Sequence, residues 1–195
     1  MIELVGKVEK VDRCILVTNG ITYTEVVVSV LRHSGVADNI ILVYQDERFK
    51  VTEGTYVKAI GDVRTYKETN GPLKTRVKVA VKAIEEVDYN NLSEDDKTLN
   101  HVEDDVFVIK SSKMRRTPNK LRITDLKVGK RNSKGKLYTY AAIAWGINAK
   151  LLSGCEPDTQ IYIEGRLQER EYTKRDDNGE RVLNTYEVSI NKVEM

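Results

Sequence analysis

Apolar and polar residues alternate along this chain with a period of two, in short runs and not at helical spacing. The clearest runs are Glu25–Leu31, Tyr56–Ile60 and Arg76–Val81, then Ala141–Trp145, Ile161–Ile163 and Tyr186–Ile190. They are rich in β-branched and aromatic residues, which pack well on a pleated surface. Asn-Gly pairs at Asn19-Gly20, Asn70-Gly71 and Asn178-Gly179 break them up, and that dipeptide supplies the positive φ a two-residue hairpin needs. Regularly spaced strands with such turns predict an all-β chain built as a barrel or sandwich. Helix is expected only near Asn148–Leu152 and at a turn begun by Ser93, whose hydroxyl can cap the amide of Asp96.

The pattern also repeats. The block from Thr55 through Gly61 to Arg64 lines up with that from Thr159 through Gly165 to Gln168. Each is a strand with an interior glycine, as a sharp barrel bend requires. Each runs on to an Asn-Gly turn and then to a closing strand. Two copies of one small barrel are expected, the first at 1–88 and the second at 106–195, joined by a linker at 89–105. A chain of 195 residues is long enough for two such domains.

Charge sharpens this division. The formal net charge of +2 resolves into +3 over residues 1–84, −8 over 85–105 and +7 over 106–195. An acidic connector therefore hides the basicity of the parts it joins, and basic domains suit a polyanionic partner. The most basic run is 110–136, where Lys113, Arg115, Arg116, Lys130, Arg131, Lys134 and Lys136 are opposed by Asp125 alone among acids. It is read as a hairpin and a loop, Gly129–Lys136, able to follow a phosphate backbone.

Residues of the second half then resemble a known family. Tyr140–Lys150, Ile163–Tyr172 and Thr185–Ser189 resemble, in order, the strand-to-helix segment, the central strand and the closing strand of bacterial single-stranded DNA-binding proteins. Arg116–Asn119 with Ile123–Leu126 resembles the family's first hairpin. The first half resembles the family only through the internal repeat. The resemblance implies OB-fold barrels (five-stranded Greek keys) and binding of single strands with little sequence preference. It also implies roles in replication, recombination and repair, and a homodimer that brings four barrels together. The family usually ends in a glycine-rich tail with an acidic tip that recruits other enzymes. This sequence stops at Val193-Glu194-Met195, so recruitment by that route is not expected, and the acidic connector is read as a spacer.

The candidate site follows from strand parity. Arg166, Gln168, Arg170 and Tyr172 alternate along one strand and so share a face. Arginine pairs with phosphate and stacks on bases, and tyrosine offers a stacking ring. Trp145, the only tryptophan, would be a core residue on the pattern alone; the resemblance makes it a stacking residue. The family usually has a second aromatic six residues earlier, where this chain has Thr139. Tyr138 and Tyr140 flank that position, and a β-bulge would turn one of them onto the binding face. In the first copy Asp62 stands in the place of Arg166, while Arg64 and Tyr66 share a face; weak binding or an assembly role is expected there.

Other classes fare worse. His33 and His101 are the only histidines, and no phosphate loop, nucleophile elbow or zinc-protease motif occurs. No enzyme activity, cofactor, metal or small-molecule substrate is expected. The cysteines Cys14 and Cys155 form no CxxC pair, and two reduced thiols in a cytosol is the economical reading; the resemblance implies a bacterial cytoplasm. No signal peptide or membrane span is expected. The competing reading is an OB-fold assembly protein, of the primosome accessory type, whose barrels bind mainly proteins. RNA is a further candidate ligand, because stacking and phosphate contacts tolerate a 2′-hydroxyl.

Overall fold

The computed structural model describes residues 1–195 apart from 19, 20, 47, 68–74, 133, 177 and 178, and gives the backbone alone at 14–18, 172, 174–176 and 181. The chain is nearly all strand. In order come β1 (Ile2–Thr18), β2 (Ile21–Leu31), β3 (Ala37–Gln45), β4 (Tyr56–Lys67) and β5 (Thr75–Val87). A 3-10 turn (Tyr89–Asn91) and the short helix α1 (Glu94–Lys97) follow. The second series is β6 (Asn100–Ser111), β7 (Arg115–Arg116), β8 (Arg122–Arg131), β9 (Leu137–Trp145), helix α2 (Gly146–Leu151), β10 (Gln160–Asp176) and β11 (Gly179–Glu194).

Contacts divide the chain into two units: residues 1–63 with 78–101, and residues 102–195 with 64–77. In the first, β1 pairs with β2, β2 with β3, β3 in parallel with β5, β5 with β4, and β4 back to β1. That circuit closes a five-stranded barrel and leaves no free edge. The second closes the same way through β6, β8, β9, β11, β10 and β6 again. This is the OB topology, present twice. The register repeats as well: Val8 faces Val28 where Val108 faces Val128, and Leu42 pairs with Val79 where Ala142 pairs with Val188.

The period-two pattern fixes which side chains enter each core. Along β2, Val26, Val28 and Val30 are buried, and along β6, Val102, Val106 and Val108. The repeated glycines are sites of close approach. A Cβ on Gly165 would sit 2.2 Å from the Ser189 carbonyl oxygen, and one on Gly61 2.5 Å from that of Ala80. At these points the closing strand crosses so near that only glycine fits. A register shift in the β10–β11 ladder falls between Glu164 and Gly165.

Ser93 caps α1 as its sequence suggests, its side chain accepting from the Asp96 amide. The helix expected near Asn148 is α2, which starts directly after β9. Strand β6 begins at Asn100, so Glu103, Asp104 and Asp105 lie in a ladder with β10. Thr18 and Ile21 pair at the end of the β1–β2 ladder, but Asn19-Gly20 and Asn70-Gly71 lie outside the described residues, as does Asn178.

Candidate nucleic-acid interface

In the β10–β11 ladder, Arg166 lies opposite Ser189, Gln168 opposite Glu187 and Arg170 opposite Thr185. Cross-strand pairs project to one side, while Leu167 and Val188 point into the core. The outward side chains are linked. Arg166 Nη2 donates to Gln168 Oε1 at 3.2 Å, and Gln168 Nε2 donates to Glu187 Oε1 at 3.0 Å. Arg170 Nε stands 3.7 Å from Glu187 Oε2. Both Gln168 and Glu187 are buried, whereas Arg170 is exposed. The backbone of Tyr172 continues the ladder opposite Leu183, and its side chain lies outside the described residues.

Trp145 closes β9 beside this face. Its indole Nε1 donates to the Ser189 hydroxyl at 2.9 Å, and its side chain is partly exposed. The ladder partner of Ser189 is Arg166. The sheet thus ties the indole to the residue opposite Arg166, with Glu187 two residues along β11 and Arg170 four residues along β10. Ser189 and Glu187, absent from the residues read as site candidates, are the groups that tie this face together. The alternation in Thr185–Ser189 puts both on one face. Only the β10–β11 register shows which residues they meet.

No bulge turns Tyr138 or Tyr140 outward in β9. Strands β8 and β9 pair without interruption from Ile123↔Trp145 to Arg131↔Leu137, so parity holds and Tyr140 points inward. It is 1% exposed and donates its hydroxyl to Asp104 Oδ2 at 2.9 Å. A buried ring with its hydroxyl satisfied offers nothing to a base. Tyr138 shares that parity at the barrel mouth, where Arg64 lies over its ring at 4.4 Å and Lys136 at 5.4 Å. Thr65 also donates its hydroxyl to the Thr139 carbonyl. Arg64 and Tyr66, read as a face of the first copy, belong by contacts to the second unit, and both are half-buried.

The basic run divides into cations paired with carboxylates and cations exposed at the surface. Lys130 is half-buried and bonds Asp104 Oδ1 at 2.7 Å. Arg115 grips Asp125 with two hydrogen bonds of 2.9 and 3.1 Å. Arg116, Arg131, Lys134 and Lys136 are exposed. The loop itself is shorter than the sequence suggested, because β8 runs to Arg131 and β9 starts at Leu137. Asn132 organises it: its Oδ1 accepts from the amides of Lys134 and Lys136 at 3.0 and 2.9 Å. Gly135 takes the positive φ of 74° that closes it.

The first barrel carries the opposite charges at the matching places. Asp62, directly after Gly61, stands where Arg166 follows Gly165, and Lys82 Nζ bonds it at 2.8 Å. Lys78, directly before Val79, matches Glu187 before Val188 and is buried against Glu25. Each of these cations is neutralised within its own barrel. Among the described residues no His/Cys/Asp/Glu group is arranged to hold a metal, and no helix is long and apolar enough to cross a membrane. Cys155 is a free thiol, and the Cys14 side chain lies outside the described residues.

No protein-family model and no curated protein matches the sequence. Solved structures do match. The wild-type single-stranded DNA binding protein from Thermus aquaticus is similar at a TM-score of 0.72 and 15% identity, over 99% of this chain and 90% of that one. A deletion mutant of the same protein gives 0.68 and 16%, over 99% and 92%. Likeness at this identity is one of fold, and the chain shares the all-β OB fold of that protein.

Proposed function

We propose that this chain binds single-stranded DNA with little sequence preference, through the outer face of its second barrel. One observation carries the reading: Trp145, fixed by Ser189, lies beside the Arg166 position and on the same sheet as Arg170. An aromatic plane and spaced guanidiniums suit a flexible phosphodiester chain with unstacked bases, and they do not read base edges. The exposed cations of the β8–β9 loop extend the track for phosphate. The shared fold supports the same reading. Two chains would supply four barrels, and DNA replication, recombination and repair are the contexts such a binder serves.

The test is anisotropy of labelled oligo-dT, oligo-rU and a duplex of equal length at several salt concentrations. Tight oligo-dT binding that weakens with salt, and poor duplex binding, is the expected result. Light scattering then gives twice the 22.2 kDa of one chain for the dimer.

The burial of Tyr140 and the covered ring of Tyr138 favour a second reading, an assembly protein whose barrels bind mainly proteins. Absence of binding to every strand would select it.

A further inference from the structure

We infer that Glu187 is a positioning residue of the strand-binding face, holding both arginines through one buried carboxylate. The inference rests on the reading that this face takes single-stranded DNA.

A carboxylate is at first sight misplaced on a surface meant for a polyanion, since it should repel phosphate. Its surroundings explain it. Glu187 is 4% exposed, so a ligand lying above the sheet does not touch it, and the facing Arg170 guanidinium offsets its charge. Its two oxygens are divided between two partners: Oε1 accepts from Gln168 Nε2 at 3.0 Å, and Oε2 faces Arg170 Nε at 3.7 Å.

The first contact also decides the orientation of an amide. With Nε2 committed to Glu187, Gln168 must present Oε1 on its other side, and there it accepts from Arg166 Nη2 at 3.2 Å. Gln168 is 8% exposed with both ends of its amide engaged. It is therefore a relay between Glu187 and Arg166, not a reader of bases. Arg166 and Arg170 are four residues apart on one strand, about 13 Å at ~3.3 Å per residue. A long side chain loses much rotamer entropy when it meets a phosphate. A carboxylate that orders two such side chains beforehand removes part of that cost. The first barrel lacks this arrangement, with lysine at the equivalent position.

The sign of one substitution separates positioning from simple electrostatics. Affinity for oligo-dT and its salt slope are measured on the full chain carrying E187A, E187Q or Q168M, with folding followed by circular dichroism. Positioning predicts that E187A binds about tenfold more weakly, the loss of one charge-assisted contact, with a shallower salt slope. E187Q, whose amide oxygen can still accept from Gln168, recovers part of the loss. Q168M cuts the relay while keeping the carboxylate, so it too weakens binding, and it decides the matter if E187A does not fold. E187A binding as tightly as the parent or tighter, or Q168M binding unchanged, overturns the inference. Failure of the parent chain to bind oligo-dT would instead remove the functional reading on which it rests.

Discussion

The indole nitrogen of Trp145 donates to the Ser189 hydroxyl at 2.9 Å, so the end of β9 is tied by a side chain to the middle of β11. The bond orients the ring and leaves its plane partly exposed. Replacing Ser189 by alanine should cost about 0.5–1.5 kcal/mol of stability, the usual worth of such a bond. It should also weaken oligo-dT binding severalfold by freeing the ring. S189T, which keeps the hydroxyl, should restore most of both; melting and titration of the two variants check this.

The loop cations should act through charge alone. K134A and K136A together should reduce the salt slope for oligo-dT by about 1.4, at about 0.7 per phosphate contact on a single strand. R115A should change it little, because Arg115 is already paired with Asp125 at the surface. The measurement is affinity against salt concentration for each variant.

Binding should reside mainly in one barrel. In the first, Asp62 engages Lys82 and Lys78 engages Glu25, so the matching face offers little free positive charge. A W145A/R166A double variant should therefore lose about 100-fold in oligo-dT affinity, since stacking alone is worth about 1–3 kcal/mol per base. Two equivalent barrels would limit the loss to about twofold.

Gly165 couples fold to site. A methyl group there would meet the Ser189 carbonyl oxygen at 2.2 Å, and backbone cannot yield as a flexible side chain does. G165A should destabilise the second barrel by at least about 1–3 kcal/mol. It should also displace Ser189 and with it Trp145. Thermal unfolding and tryptophan emission report the two effects separately.

The strands, the duplication and the positions of the two interior glycines were legible because each rests on local pattern, although the sequence read a bend there and the structure adds the close approach of the closing strand. Alternation alone assigns Val26, Val28 and Val30 to a core, and the shared glycine marks the repeat. Parity placed Arg166, Gln168 and Arg170 on one face. What could not be read were the partners across strands. That Glu187 meets Gln168, or Ser189 meets Trp145, depends on the register of β11 against β10 and β9, which no single run encodes. Whether a bulge turns Tyr138 or Tyr140 outward could not be read either, because the buried acceptor of Tyr140 is Asp104, contributed by distant β6. Arg64 was placed with the first copy by sequence, yet the tip of its strand belongs to the second unit.

The most direct test of the binding face uses its own reporter. Oligo-dT is titrated into the full chain while the emission of Trp145, the single tryptophan, is followed. Strong quenching that saturates with binding, and is reversed by salt, is the result predicted for a base stacked on the indole. Oligo-dT binding that leaves the emission of Trp145 unchanged would contradict the account and return that residue to a purely structural role.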